Sequence, residues 1–72
     1  MQYEIFSHKV NVEGEIHETF GILATDSQEN TYSFEDVTTF KSELEKFVAF
    51  LNEENVSLKC FKIFLELFVE NI

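Results

Sequence analysis

An α+β fold is predicted, with a small antiparallel sheet followed by an antiparallel helical hairpin in the order β-β-β-α-α. Three observations predict it. Two early segments, YEIFSHKVNV and EIHETFGILA, are rich in Val, Ile, Thr and aromatic residues and flank Glu13 and Gly14, a tight-turn signal. Two later segments repeat apolar residues at helical spacing. A polar connection, TDSQEN, and a short β-like run, TYSFEDV, lie between the two pairs. A hairpin alone is marginal in water, so a third strand and helices on one face are required.

If Glu13 and Gly14 form a two-residue turn, the numbers of cross-strand partners sum to 27. One face then carries Tyr3, Ile5, Phe20, Ile22 and Ala24, with Lys9 opposite Glu18. The other carries Phe6 opposite Gly21, His8 opposite Thr19, Val10 opposite His17 and Val12 opposite Glu15. The first face is the better core face because its apolar residues cluster away from the turn, although the second is only half polar. A slip of one residue would exchange the two. Phe6 over Gly21 has the form of an aromatic ring covering a strand glycine.

The sheet is expected over residues 1–37 and the two helices over 38–72, as one domain. Thr38 or Thr39 is the expected cap of the first helix, with Asp36 just outside and Glu43 in or near its first turn. Its apolar residues Phe40, Leu44, Phe47, Val48 and Leu51 define a one-sided amphipathic helix. Asn52, Glu53, Glu54 and Asn55 interrupt that pattern. Ser57 is the expected cap of a second helix from Leu58 to about Glu70.

The last helix, within SLKCFKIFLELFVENI, carries Lys59, Lys62, Glu66 and Glu70, too many charges over too short a span for a membrane crossing. At roughly 100° per residue these charges occupy a narrow wedge, and most of the circumference is apolar. Leu58, Phe61, Phe64, Leu65, Phe68 and Ile72 form one stripe suited to the sheet. Cys60, Ile63 and Leu67 form a second. Either both stripes are internal, with the helix wedged between the sheet and the first helix, or the second stripe meets another chain. A two-fold dimer would supply burial that a 72-residue monomer lacks.

Composition narrows the classes of function. The chain has 44% hydrophobic residues and nine Phe, unlike a disordered segment. Fourteen acidic residues against five Lys and no Arg leave a formal charge of −9. Nucleic acid and anionic lipid surfaces would repel it. Cys60 is the single cysteine, so no intramolecular disulfide is available. The opening residues MQYEIFSHKV show no signal-peptide pattern, and a cytoplasmic protein is expected.

Little catalytic chemistry is legible. His8 and His17 share a face as diagonal neighbours, but a zinc site needs further ligands, and exposed structural histidines are expected. Cys60 lacks an evident activating base and is expected to be buried and inert. The pairs Glu53 and Glu54, and Glu43 and Glu45, read as solvated helix faces rather than acid/base pairs. Two glycines, Gly14 and Gly21, cannot make a phosphate-binding loop. No enzyme activity, cofactor or metal is expected.

From His17 onward the chain resembles an uncharacterised family of small proteins from clostridia and related Firmicutes, a domain of unknown function. The resemblance lies in ETFGILA, in FEDVTTFKSELEKFVAFLNEENVS and in an apolar last helix reaching Phe68 and Val69. It covers about residues 17–70 as a match of order and spacing. It implies a shape and no activity. It also implies that the positions of Cys60, Ile63 and Leu67 are often polar or acidic in family members, whereas all three are apolar here.

The expected function is a small acidic, non-enzymatic interaction module that self-associates as a homodimer through the last helix, the outer hairpin face, or both. Cys60, Ile63, Leu67, Phe6, Val10 and Val12 are the candidate interface residues. The alternative is an acidic inhibitor or regulator of a basic partner, such as a phage-type protein acting on a nucleic-acid enzyme. The partner is a protein in both cases, without direct contact to nucleic acid or membrane.

Overall fold

In the computed structural model, which describes residues 1–71, three strands precede two helices: β1 Gln2–Val12, β2 Glu15–Thr25, β3 Thr31–Thr38, α1 Lys41–Glu53 and α2 Leu58–Glu70. The sheet is antiparallel in the order β1-β2-β3, giving the expected α+β fold. Glu13 and Gly14 both have positive φ, 53° and 85°, the signature of a type I′ turn. The Gly14 N–H also donates to the Asn11 side chain. That turn pairs Gln2 with Thr25 and Val12 with Glu15, the expected register, and so assigns every side chain to its expected face.

Both helices lie on the face of Tyr3, Ile5, Phe20, Ile22 and Ala24. Tyr3, Phe20, Ile22 and Ala24 are buried there with Leu44, Val48, Leu51, Val56 and Phe61. Phe61 is the centre of an aromatic cluster, its ring 5.0 Å from that of Tyr3, 4.9 Å from Phe34 and 6.4 Å from Phe47. Phe47 in turn stacks on Phe68 at 4.6 Å.

Tyr3 ties the edge of the sheet to the helices. Its backbone N–H donates to Asn52 Oδ1 at 2.8 Å, and Asn52 Nδ2 donates back to its carbonyl at 2.9 Å. The Asn52 amide thus imitates the next strand of a ladder at the open edge of β1. The Tyr3 hydroxyl donates to the Val56 carbonyl at 2.7 Å. Burial pushes the Tyr3 phenol above its usual pKa, with the Cys60 thiol adding to the shift.

Helix ends show which local signals suffice. Ser57 caps α2 as expected, its side chain accepting from the Cys60 N–H. Helix α1 ends in a Schellman motif: Asn55 has φ 49°, its N–H donates to the Asn52 carbonyl, and the Val56 N–H donates to Leu51. Leu51 and Val56 are both buried, the apolar contact that accompanies this motif. At the other end of α1 the expectation fails. Phe40 is the N-cap residue, no side chain caps the helix, and Thr38 closes β3. The Thr38 hydroxyl instead accepts the Phe40 N–H. Phe40, expected on the buried stripe, is 58% exposed because it precedes the helix. The assignment of Ile72 to the inner stripe of α2 lies outside the described residues.

Asp36 was also expected beside that helix start and instead belongs to an irregularity in β3. Phe20 pairs with Thr38 and Ile22 with Phe34, so extra residues of β3 bulge outward opposite Gly21. Asp36 occupies the left-handed region at φ 53°, and its carboxylate accepts from the hydroxyl of buried Thr19 at 2.8 Å. The same bulge brings the Phe34 carbonyl against Gly21. A Cβ there would lie within contact of that oxygen and 2.6 Å from Phe6 Cζ, too close to be accommodated without movement. Asp26 organises the β2–β3 loop, its carboxylate accepting the N–H groups of Gln28 and Asn30. The Asn30 backbone and side chain hold the Asp26 pKa below its usual value.

Strand β3 pairs with β2 only from Phe20 to Thr25, so the turn end of the hairpin projects beyond it. Strands of this length, at about 3.4 Å per residue, account for the long axis of a molecule measuring 40 × 26 × 17 Å. Ile16, near the projecting tip, is 70% exposed.

Two substitutions test these contacts. Asn52→Ala removes both hydrogen bonds to the Tyr3 backbone and is expected to destabilise the fold by about 1–3 kcal/mol in urea denaturation. Gly21→Ala, opposed by a backbone carbonyl as well as a ring, is expected to cost about 1–3 kcal/mol without altering exposed helix residues.

Candidate interaction surface

With Phe61 turned inward, the helical spacing of α2 dictates the rest of its circumference. Leu58, Phe64, Leu65 and Phe68 are half-buried at the margins of the core. The Cys60, Ile63 and Leu67 stripe is rotated by roughly 130° from the inner one, and it lies outside. Cys60 is exposed, Ile63 is 56% exposed and Leu67 is 50% exposed. Within a single chain, then, α2 is not wedged between the sheet and α1, and Cys60 is not buried. The physical reason is thickness: two helices side by side cover one face of a three-stranded sheet, and no third layer reaches the outer side of α2.

Helix α1 extends this apolar surface. Phe50 is exposed and meets Phe64 edge to face at 5.5 Å. Phe47, Phe50, Phe64, Leu67 and Phe68 line an open groove of about 340 Å³ between the helices, with Glu43 and Asn71 at one end. Ile63 and Leu67, one turn apart, continue the surface along the outer side of α2. The sequence left the Ile63 and Leu67 stripe either internal or facing another chain, and it did not single out Phe50. Its signal was present: Phe50 is an apolar residue off the buried stripe of α1, three residues beyond Phe47.

The outer hairpin face is less open than its pattern suggests. Phe6 is half-buried over Gly21, in the expected pairing, and Val10 is also half-buried. Val12, beside the turn, is exposed. Thus Phe6, Val10 and Val12 share a face, whereas Cys60, Ile63 and Leu67 belong to the helical layer on the other side of the sheet.

The titratable groups are dispersed. His8 and His17 share the outer face, and His17 Nε2 lies 3.4 Å from the Glu15 carboxylate. Among the described residues, no group of three or more His, Cys, Asp or Glu side chains is arranged to hold a metal ion. No helix among them is long and apolar enough to cross a membrane.

Exposure of Cys60 has a direct consequence in solution. A thiol reagent is expected to modify it in the native protein at a rate near that of a free cysteine, measured by absorbance before and after urea unfolding. No family model matches this chain, and no curated protein or solved structure matches it.

Proposed function

We propose that this chain is a small acidic, non-enzymatic interaction module that self-associates through its last helix, with the outer hairpin face as a subsidiary contact. The observation that supports it is the apolar surface of Phe50, Ile63 and Leu67, which the single chain leaves exposed around half-buried Phe64. At this size a core supplies roughly 3–5 kcal/mol, so covering that surface would add a large fraction of the total stability. Exposed contiguous apolar surface of this kind is characteristic of protein–protein contacts. Membership of the clostridial family belongs to the same proposal, supported by ETFGILA and FEDVTTFKSELEKFVAFLNEENVS. So does a cytoplasmic location, supported by a free, exposed thiol that an oxidising compartment would leave open to cross-linking.

Sedimentation velocity across the micromolar range is the test. The expected result is a reversible monomer–dimer equilibrium. Ile63→Glu/Leu67→Glu is expected to be folded by circular dichroism, because both side chains are exposed in the single chain, and to sediment as a monomer. A wild-type monomer throughout that range would remove self-association and leave the acidic regulator of a basic partner as the reading to pursue.

A further inference from the structure

The charges of α2 are divided by sign along its length. Lys59 and Lys62 lie in the first half, Glu66 and Glu70 in the second, and all four are exposed. Among the described residues, ion pairs join His17 to Glu15 and Lys46 to Glu43, and none involves α2. Among the described residues these two lysines are therefore without an acidic partner. Helix α2 also carries no net charge in a molecule of formal charge −9, so an approach along it adds least to the repulsion between copies.

The division becomes informative when laid beside the exposed stripe. At roughly 100° per residue, Lys59 and Glu70 both border the Cys60, Ile63 and Leu67 stripe on the same side, three turns apart. Phe64 and Asn71 border it on the other. The midpoint between Lys59 and Glu70 falls between Phe64 and Leu65. That is within one residue of the midpoint between Ile63 and Leu67. A single two-fold axis across the helix at that level therefore matches Ile63 with Leu67 and, at the same time, Lys59 with Glu70. A parallel two-fold pairing would instead place the two Lys59 side chains at one level on opposite flanks of the seam, and the two Glu70 likewise, leaving neither lysine beside a glutamate.

We infer that two copies of this chain pair antiparallel through α2 about a two-fold axis near Phe64 and Leu65, with Ile63 and Leu67 forming the seam and Lys59 of each copy beside Glu70 of the other. This rests on the self-association proposed above and specifies its surface and direction. The isologous geometry means that each favourable contact occurs twice. Helix α2 is about 20 Å long at 1.5 Å per residue, so the seam is small. A stable interface of standard size takes about 800 Å² from each partner, against a total surface of 5126 Å² here. The rim of Phe50 and Phe64 must contribute, and the dimer is weak and reversible.

Charge reversal followed by sedimentation equilibrium tests the arrangement, with circular dichroism confirming that each variant is folded. Lys59→Glu and Glu70→Lys are each expected to weaken the dimer by roughly 3–10-fold, and the chain carrying both is expected to regain wild-type affinity. Glu70→Lys is the sharper single variant, because it reduces the magnitude of the negative net charge and would strengthen the dimer if overall repulsion alone mattered. Strengthening by Glu70→Lys, or failure of the double variant to recover, overturns the antiparallel pairing. Oxidation gives a second readout. The two Cys60 residues would be about 14 Å apart along the helix axes, beyond the roughly 7 Å limit for a disulfide. Rapid formation of a disulfide-linked dimer would establish parallel pairing instead. A dimer untouched by Ile63→Glu/Leu67→Glu would overturn this surface while preserving self-association, and a wild-type monomer would remove both.

Discussion

The position of Tyr3 on the edge of the sheet is the constraint on which the rest of the molecule depends. One residue of β1 uses its N–H, its carbonyl, its hydroxyl and its ring, and each engages the helical layer: Asn52 twice, Val56 once and Phe61 through ring contact. Hydrogen bonds fix the height and direction of the end of α1 over the sheet, whereas apolar burial alone would allow it to slide. The Schellman motif then turns the chain at Asn55, burying Val56 beneath the turn whose carbonyl Tyr3 holds. These contacts therefore position the start of α2 independently of its own side chains.

Given that start, Phe61 can only enter the space enclosed by Tyr3, Phe34 and Phe47. An α-helix has no freedom to present one residue without presenting the others at their angles, so the inward turn of Phe61 also determines the outward turn of Ile63 and Leu67. The uncovered apolar surface is thus a consequence of how the core is closed. The same logic joins the two faces of the sheet. The bulge that carries Asp36 to Thr19 also presses the Phe34 carbonyl on Gly21, while Phe6 covers that glycine from β1.

The hairpin register was legible because Glu13 and Gly14 are a local signal whose geometry propagates along two strands without further choice. Ser57 and the buried residues of α1 were legible for a similar reason, since caps and amphipathic spacing act within a few residues. The start of α1 was misread because Thr38 has two local uses: it can cap a helix, or end a strand and receive the next N–H, and the pairing of Thr38 with Phe20 selects the second. Asp36 was misread because its partner, Thr19, is distant in sequence and reached only through the bulge. Asn52 looked like an interruption of an apolar pattern, with nothing nearby to show that its amide would serve an edge strand 49 residues earlier.

The sequence by itself determined the order of elements, the turn, the faces of the hairpin and the presence of two apolar stripes on the last helix, because each follows from periodicity or from contacts between near neighbours. Tertiary structure alone decided which of those stripes was covered. Burial of a stripe depends on how many layers surround the helix and on where its first turn is anchored, and both are set by contacts between β1 and the end of α1. In the closing segment SLKCFKIFLELFVENI, the single chain covers Phe61 and leaves Cys60, Ile63 and Leu67 in solvent.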